Sequence, residues 1–409
     1  MFYYRYGRSK VFLLFLILMQ LCLITSYYLL YKSEHKEKLK RVSFLAAIKG
    51  PNKVRKNYYT LNDTVVLKRA LSRDHFTDFN SSMCFTEGTD TRTMLANGNN
   101  WKCSCLPGWH GPDCGYPEVY FRAMLAKKQP LKLTGPNTFQ RRLICIFSCD
   151  QISESLVDIR LTELGDVVDL FILYERSNYF DSQLKNGIFS EQLLKKILYI
   201  PNVRDDNVTS IWRSAKAQLR NLRDNDFVVV SPTNEIFDAT SLKFLKFHNS
   251  VPETVNFRLK WVVFGFFWIH PEKTIISGGA CTVAYLKESL NDNLDALALI
   301  ATKSLTLGDL NRTGGWFCEY CAEPENIIRY LTRNRAKNVI DWEKITSKKI
   351  TYNFIKDLIA LGVYLDGKTE LRRAHRYSDV DFAPKSVLDH DLKFDPLLVN
   401  FFAQSEYYM

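Results

Sequence analysis

The sequence predicts an α/β domain with a mostly parallel sheet, preceded by a membrane-spanning helix, a basic stem and a small disulfide module. Short apolar runs alternate with helically spaced segments from about Arg141 onward, which is typical of a parallel sheet covered by helices. A long uncharged run lies near the N-terminus, and four cysteines lie in a short stretch rich in Gly and Pro. The sequence has no Gly-rich dinucleotide fingerprint and no Walker loop, which argues against dinucleotide oxidoreductases and P-loop ATPases.

Residues 11–31 predict a transmembrane signal-anchor. They contain no Asp, Glu, Lys or Arg, and about 20 apolar residues span a bilayer core of about 30 Å. A cleaved signal peptide is the alternative, but the run is long for one and no small-residue cleavage site ends it. Residues 1–10 carry three positive charges, which favours a cytoplasmic tail and a single-pass type II orientation with a lumenal body.

Residues 32–80 are polar and Lys-rich without a sustained apolar period, and we interpret them as a stem. Between positions 32 and 73, twelve Lys and Arg outnumber three acidic residues, so this segment and the tail together carry a charge of +12, against a net charge of +11 for the whole chain. The remaining chain is close to neutral, which argues against nucleic-acid binding. Four glycosylation sequons agree with a lumenal body. They are Asn62, Asn80, Asn207 and Asn311.

The cysteines beyond the predicted anchor fall into two groups. The first group is Cys84, Cys103, Cys105 and Cys114. We expect disulfides there, because an oxidising lumen disfavours the alternative of a zinc site. The second group is Cys145, Cys149, Cys281, Cys318 and Cys321. Because five is odd, at least one of these is free or bonds a second chain, which leaves a disulfide-linked or other homo-oligomer open.

The run from Cys105 to Cys114 resembles the last loop of an EGF-like module, because it reads Cys-Leu-Pro-Gly-Trp-His-Gly-Pro-Asp-Cys. Glycines at these positions permit the tight turn that a disulfide closes. The resemblance implies an EGF-like module at residues 81–117, with the pairs Cys84–Cys103 and Cys105–Cys114. A cell-surface adhesion protein that uses this module is a weaker alternative.

The large domain, residues 140–400, begins with a regular alternation of predicted elements. Strands are predicted at residues 143–147, 167–174, 196–200 and 227–230. Helices are predicted at residues 153–164, 212–222 and 239–247. Further strands are expected at residues 254–268 and 275–281, and a helix followed by a turn is expected at residues 341–368.

The strand at residues 227–230 leads into the polar turn Ser231-Pro232-Thr233-Asn234-Glu235, which we call the tip. In open α/β sheets, ligands bind outside the carboxyl ends of the strands. The tip is therefore the expected binding site. Glu175 also follows a predicted strand, and we expect it to face the same cleft.

Six sequence blocks occur in the order that one enzyme family has. They are residues 163–175, 219–223, 264–268, 277–283, 315–321 and 382–385, the fifth of which reads Gly-Trp-Phe-Cys-Glu-Tyr-Cys. Together they resemble the bisecting N-acetylglucosaminyltransferases, the β-1,4-mannosyl-glycoprotein 4-β-N-acetylglucosaminyltransferases of glycosyltransferase family 17. The resemblance covers roughly residues 84–400.

This resemblance implies a type II protein of the Golgi membrane with a GT-A-like nucleotide-sugar transferase domain. The implied reaction moves N-acetylglucosamine from UDP-N-acetylglucosamine to the β-linked core mannose of N-glycans on glycoproteins. It forms a β-1,4 bisecting linkage with inversion, usually with a divalent metal, Mn²⁺ or Mg²⁺. A carboxylate base would deprotonate the acceptor hydroxyl, and the metal would offset charge on the UDP leaving group.

The chain departs from the family at the tip, where the family carries an acidic run. Here Glu235 is the last acid left, and Asn234 offers only a neutral carbonyl oxygen to a metal that prefers carboxylates. The family commonly has a histidine where this chain has Phe317. An alternative function follows, that of a metal-independent or catalytically inactive relative that binds glycans or partner proteins.

The resemblance and the strand ends together suggest a set of site residues. They are Glu235 as the catalytic carboxylate, Glu175, Asn234 and Asp166 as donor contacts, Asn234 as a weak metal ligand, and Trp268 and Trp316 as acceptor platforms. The tryptophans are included because aromatic faces stack on sugar rings. Each has a structural alternative: Glu235 as a charge before the next helix, Asn234 as a turn residue, Glu175 as a surface acid, Asp166 at a helix–strand junction, and the tryptophans in the core.

Overall fold

The computed structural model describes residues 19–21, 24–26, 57–79, 82–96, 102–127, 135–149, 154–204, 207–249, 251–300, 305–333 and 350–403. The chain divides into two units, Met1–Lys56 and Asn57–Met409. The residues described in the first unit are helical. Within the described ranges, no helix is long and apolar enough to cross a membrane. The predicted tail, most of the predicted anchor and residues 32–56 of the predicted stem lie outside the described residues.

The described part contains sixteen strands and twelve α-helices. The strands are β1 (Val65–Val66), β2 (Phe76–Asp78), β3 (Met83–Phe85), β4 (Trp109–His110), β5 (Tyr116–Pro117), β6 (Leu143–Ser148), β7 (Leu170–Tyr174), β8 (Ile197–Ile200), β9 (Leu219–Arg220), β10 (Phe227–Val230), β11 (Glu235–Phe237), β12 (Thr254–Val263), β13 (Trp268–Thr282), β14 (Leu305–Leu307), β15 (Gly315–Glu319) and β16 (Arg372–Arg373). The helices are α1 (Thr91–Ala96), α2 (Glu118–Lys127), α3 (Glu154–Leu164), α4 (Tyr179–Lys185), α5 (Glu191–Leu194), α6 (Val208–Lys216), α7 (Ala239–Phe247), α8 (Val283–Glu288), α9 (Pro324–Arg333), α10 (Tyr352–Leu361), α11 (Lys385–Asp389) and α12 (Asp391–Leu398).

A ten-stranded sheet forms the centre of the second unit, with the order β11-β15-β12-β13-β10-β6-β7-β8. In addition, β14 pairs with β12, and β16 pairs with β13. The pairings give eight of these strands one direction, whereas β11 and β13 run in the opposite direction. The sheet is therefore mixed, with a strong majority direction, and it fits a glycosyltransferase-like α/β domain.

Helices and loops bury both faces of the parallel part of the sheet. Along β6, Leu143, Cys145 and Phe147 belong to one apolar cluster, whereas Ile144 and Ile146 belong to a second cluster on the opposite face. Successive side chains of a strand point to opposite faces, so a strand buried on both sides needs a continuous apolar run. This requirement explains the runs from which the strands were predicted.

The two strands that follow α7 form one long hairpin, β12–β13. Their antiparallel register shifts between Val255 and Phe257 and again between Lys260 and Val262. At the first shift, Gly278 has a φ of +65°, a value at which a residue with a side chain is strained. The resulting bulge, residues 277–279, bends the hairpin next to the tip, and bulges are frequent beside active sites.

Residues 57–79 belong to the folded unit, although the sequence placed them in the stem. Tyr58, Val65 and Leu67 are buried, and β1 pairs with β9. The same pairing corrects the helix predicted at residues 212–222, because α6 ends at Lys216 and residues 219–220 form a strand. Its pairing partner, β1, lies about 150 residues earlier in the sequence, so no local sequence pattern predicts this strand.

The cysteine-rich stretch contains the disulfides Cys84–Cys103 and Cys105–Cys114, which are the pairs that the EGF-like resemblance implies. Its aromatic side chains pack against α7, where Phe85 lies 5.5 Å from Phe247 between ring centroids. The EGF-like identity of this stretch stays a prediction.

Candidate functional site

The carboxyl ends of six sheet strands lie along one edge. These strands are β6, β7, β8, β10, β12 and β15, which share one direction. The tip follows β10 at this edge, and the hydroxyl groups of Thr233 and Ser148, at the end of β6, are 2.8 Å apart. The tip thus occupies the position where open α/β sheets bind their ligands.

The tip is a tight turn that hydrogen bonds hold at both ends. The backbone N–H of Ser231 donates to the carbonyl of Ile146 at 3.1 Å, and the N–H of Glu235 donates to the carbonyl of Pro232 at 3.1 Å. The N–H of Cys318 donates to the carbonyl of Asn234 at 2.8 Å. Neighbouring strands therefore fix the backbone of the tip.

Arg160 donates hydrogen bonds to the backbone of the tip. This residue of α3 is 1% exposed, and its Nη1 donates to the carbonyls of Pro232 at 3.0 Å and Thr233 at 3.2 Å. Its guanidinium lies 3.9 Å from the centroid of the Phe147 ring, and burial lowers the pKa of Arg160 to about 10. Arg160 is not among the site residues predicted from the sequence, although a cation between the apolar Ile159 and Leu161 of a predicted helix was a signal for it.

Glu235 is buried beneath the glycine bulge of β13. It is 0% exposed, and a Cβ atom added at Gly278 would lie 2.6 Å from its Oε2. Burial raises the pKa of Glu235 to about 7, while the Ser277 side chain, the charge of Arg160 and the Gly278 backbone oppose this shift. The carboxyl group is thus enclosed, which argues against the direct catalytic contact predicted for Glu235.

A cavity of about 250 Å³ lies beside the tip. Pro232, Thr233 and Asn234 line it from the tip, and Phe317 and Tyr320 line it from β15 and the residue that follows. Asn234 is half-buried, and the donor contact predicted for it stays a prediction. The cavity brings Asn234 together with Phe317.

The residues of the tip do not fit a divalent metal. Asn234 contributes one neutral oxygen, and the carboxyl group of Glu235 is enclosed. No group of three or more His, Cys, Asp or Glu suited to a metal occurs among the described residues. Mg²⁺ and Mn²⁺ sites that share a diphosphate depend on carboxylates.

Glu175 does not share this cavity. It follows β7, two strands away from β10 in the sheet, which corresponds to about 10 Å. Its Oε1 accepts hydrogen bonds from the Phe180 N–H at 2.8 Å and from the Tyr199 hydroxyl, and its Oε2 accepts one from the Ser177 hydroxyl. Both oxygens therefore hold the loop before α4, which leaves little capacity for the predicted donor contact.

Asp166 lies at the wrong edge of the sheet for its predicted donor contact. It is exposed in the turn that leads from α3 into the start of β7, whereas the tip follows the end of a parallel strand. The five residues of β7 separate these edges by about 15 Å. The neighbouring Asp169 holds the junction instead, by accepting from the Leu143 N–H at 2.8 Å and pairing with Lys246 at 2.9 Å.

The two predicted acceptor platforms have structural contacts. Trp316 is 5% exposed, and its Nε1 donates to the carbonyl of Asp381 at 2.9 Å. It lies in an interior strand and belongs to an apolar cluster, which argues against the predicted contact with a sugar. Trp268 is half-buried, donates to the carbonyl of Ile359 at 2.8 Å and lines a separate cavity of about 650 Å³.

A second acid lies at the end of β15 and was also missed. Glu319 accepts hydrogen bonds at Oε2 from Trp261 Nε1 at 2.9 Å and from the Tyr364 hydroxyl at 3.1 Å. Trp261 stacks on His270 with 3.7 Å between ring centroids. Burial raises the pKa of Glu319. Its place inside the matched block at residues 315–321 was the available signal.

The described residues include the second group of cysteines and three of the four sequons. Cys318 and Cys321 form a disulfide, and the remaining cysteines of the second group, Cys145, Cys149 and Cys281, are buried. A buried thiol cannot reach a second chain. The sequons Asn62 and Asn311 are exposed, Asn207 caps α6 by accepting from the Ser210 N–H at 2.8 Å, and Asn80 lies outside the described residues.

Three curated proteins resemble this chain, from Homo sapiens, Rattus norvegicus and Mus musculus, and all are named β-1,4-mannosyl-glycoprotein 4-β-N-acetylglucosaminyltransferase. Each is 30% identical over 341 residues, which cover 73% of this chain. The chain spans 62% of the length of these relatives. No family model matches the chain. The resemblance to the bisecting N-acetylglucosaminyltransferases that the sequence blocks indicated is therefore confirmed.

Proposed function

We propose that this protein transfers N-acetylglucosamine from UDP-N-acetylglucosamine to the β-linked core mannose of N-glycans on glycoproteins. The product would carry a β-1,4 bisecting linkage, formed with inversion. The similarity to proteins named for this activity over 73% of the chain carries the proposal. The cavity beside the tip, at the carboxyl edge of a mixed α/β sheet, supports it as a site for a nucleotide-sugar.

In this proposal the tip forms one wall of the donor site. The carbonyls of Pro232 and Thr233 are engaged by Arg160, so the tip is rigid before a ligand arrives and does not lose further freedom on binding. Asn234 can hydrogen-bond the donor with its amide, and the ring of Phe317 can pack on a sugar or base. No step of the transfer is assigned to a metal, because the tip does not fit one.

We also propose that the protein is a single-pass type II protein of the Golgi membrane, anchored by residues 11–31. The uncharged run, the basic ten-residue tail and the exposed sequons Asn62 and Asn311 support this topology. The disulfides of the second unit support an oxidising compartment.

The experiment is a transfer assay with the full-length chain in detergent. Labelled UDP-N-acetylglucosamine and a core N-glycan acceptor are incubated with Mn²⁺, with Mg²⁺ or with EDTA, and the product is analysed for a bisecting residue. We expect product in all three conditions. If no product forms in any of them, the proposed activity is wrong.

One observation favours a second candidate function, that of a non-catalytic relative that binds glycans or partner proteins. The tip lacks accessible carboxylates, which a metal-dependent transferase would use to hold a metal at the diphosphate. Calorimetric titration separates the two candidates. Glycan binding without any UDP-N-acetylglucosamine binding would favour the non-catalytic relative, whereas donor binding followed by turnover would favour the enzyme.

A further inference from the structure

A second cavity, of about 380 Å³, adjoins the cavity beside the tip, and we call it the middle cavity. Cys321 and Ala322, which follow β15, line both cavities. The first turn of α3 also reaches both, because Glu154 and Ser155 line the middle cavity and Leu156 lines the cavity beside the tip. Both segments follow the carboxyl ends of strands that share one direction, β15 and β6. The middle cavity therefore lies next to the proposed donor site.

A third cavity adjoins the middle cavity, and we call it the outer cavity. It is the cavity of about 650 Å³ that Trp268 lines. Phe267, Val399 and Asn400 line both the middle and the outer cavity. Each of these two cavities has the volume of a site for a small molecule, which is about 300–1,000 Å³. The row of cavities from the tip to Trp268 thus has room for several linked sugars.

The charges of the middle cavity distinguish between the two substrates of the proposed reaction. Glu154 and Glu323 contribute carboxylates to it, and the ammonium group of Lys393, which also lines it, pairs with Asp158. Carboxylates repel the diphosphate of a nucleotide-sugar, whereas the hydroxyl groups of a neutral sugar donate to them in charge-assisted hydrogen bonds. This pattern favours the acceptor glycan over the nucleotide part of the donor.

Glu323 is the carboxylate of the middle cavity that is free to bind a sugar. It is exposed immediately before α9, and its backbone carbonyl accepts from the N–H groups of Asn326 at 2.9 Å and Ile327 at 3.0 Å. Its carboxyl group makes no hydrogen bond or ion pair with the described residues, so both oxygens can accept from a ligand. Glu154, by contrast, already accepts from the Tyr179 hydroxyl at 3.0 Å.

The outer cavity offers aromatic and apolar side chains for packing on sugar rings. Trp268 is held in place, because its Nε1 donates to the Ile359 carbonyl at 2.8 Å and a Cβ atom added at Gly362 would lie 2.6 Å from its ring. Tyr377 is 97% exposed and Leu361 is 60% exposed in the same cavity. Apolar side chains that are exposed together mark binding grooves, and aromatic side chains commonly line sites for small molecules.

We propose that the middle cavity binds the acceptor mannose and that the outer cavity binds further sugars of the same N-glycan, an inference that rests on the proposed transferase function. Glu323 accepts hydrogen bonds from hydroxyl groups of the acceptor, and Trp268 and Tyr377 pack on sugar rings farther from the tip. The mannose then lies next to Cys321 and Ala322, which the middle cavity shares with the proposed donor site.

The test uses two variants of the full-length chain in detergent, Glu323→Gln and Tyr377→Ala. Both positions are exposed, so folding should survive, and the melting temperature verifies this. The matched controls are Glu288→Gln, at the exposed end of α8, and Leu95→Ala, at an exposed position of α1.

The readouts separate the acceptor from the donor. The acceptor KM and kcat are measured with a free N-glycan and with a glycopeptide that carries the same glycan. Calorimetry gives the Kd of the free N-glycan and the Kd of UDP-N-acetylglucosamine.

We expect Glu323→Gln and Tyr377→Ala each to raise the acceptor KM and the glycan Kd about three- to tenfold, because one loses a charged acceptor and the other loses an aromatic contact. The increase should be the same for the free glycan and the glycopeptide. The donor Kd and kcat should change less than about twofold, since the lost contacts bind the acceptor equally before and during the reaction. Both controls should match the wild type.

The outcomes separate the inference from the function on which it rests. If the wild type is active and either variant keeps the acceptor KM within about 1.5-fold, the role of that cavity is wrong while the transferase stands. An increase confined to the glycopeptide would assign the cavity to the peptide, and an equal increase in the donor Kd would assign it to the donor, and either result overturns the inference. If the wild type binds the N-glycan and the variants weaken that binding, but no donor binding or transfer occurs, the glycan site stands and the transferase is wrong.

Discussion

Glu235 should make the stability of this protein depend on pH, and Glu235→Gln should remove that dependence. Burial raises the pKa of Glu235 from 4.5 to about 7. At pH values between these two pKa values, Glu235 is therefore protonated in the folded chain and deprotonated in the unfolded chain. Such a group stabilises the fold at pH values below its unfolded pKa, and this contribution is lost as the pH rises through the folded pKa.

The size of this effect follows from the two pKa values. The interval from 4.5 to about 7 corresponds to about 3 kcal/mol of unfolding free energy, because each pKa unit is worth about 1.4 kcal/mol. Glu235→Gln removes the ionisable group and keeps nearly the same volume. The variant should thus gain about 3 kcal/mol relative to the wild type between about pH 4.5 and pH 8.

The assay is denaturant unfolding of wild type and Glu235→Gln from about pH 4 to pH 8. The quantity of interest is the difference between their unfolding free energies, because other titrating groups contribute equally to both proteins. Glu288→Gln, at an exposed position, is the matched control for the loss of a carboxyl group. If the difference for Glu235→Gln changes by less than about 0.5 kcal/mol over this range, the carboxyl group is not enclosed and the reasoning is wrong.

Three further predictions test the tip, the disulfide module and the metal. Arg160→Met should lower the unfolding free energy by about 2–4 kcal/mol and weaken donor binding, because two tip carbonyls lose a charged donor. The control Arg73→Met, at an exposed position, should lower the unfolding free energy by less than about 0.5 kcal/mol. Equal urea midpoints for the two variants would contradict this prediction. Replacing Cys105 and Cys114 by Ser opens a loop with a sequence separation of nine and should lower the unfolding free energy by about 2–3 kcal/mol. This loss is measured as a lower melting temperature, and an unchanged melting temperature would show that the disulfide is dispensable. EDTA should change wild-type kcat less than about twofold, because Asn234 alone is too weak a ligand set; loss of turnover that Mn²⁺ restores would refute this.

The sequence could predict the strands and helices that sheet burial dictates. Along β6, β7, β8 and β10 the apolar runs are continuous because both faces of the sheet are covered. The tip was predictable for the same reason, since a polar turn after a buried strand must lie at a sheet edge. These inferences need only residues that are neighbours in the sequence.

The contents of the site could not be predicted in this way, because distant segments decide them. Glu235 is enclosed by Gly278, which belongs to a strand that begins more than thirty residues later. The donor contact predicted for Glu175 is disfavoured because the Tyr199 hydroxyl, contributed by the next strand of the sheet, donates to its carboxylate. A carboxylate at a strand end has the same sequence signature whether it faces solvent or a neighbouring backbone.

The register of β11 and β15 connects the two acids of the site. Pairing Glu235 with Phe317 places both side chains on one face, and two residues further along β15 the same alternation places Glu319 on that face. The two acids differ in what covers them, because the glycine bulge lies against Glu235 whereas Glu319 is half-buried at the strand end.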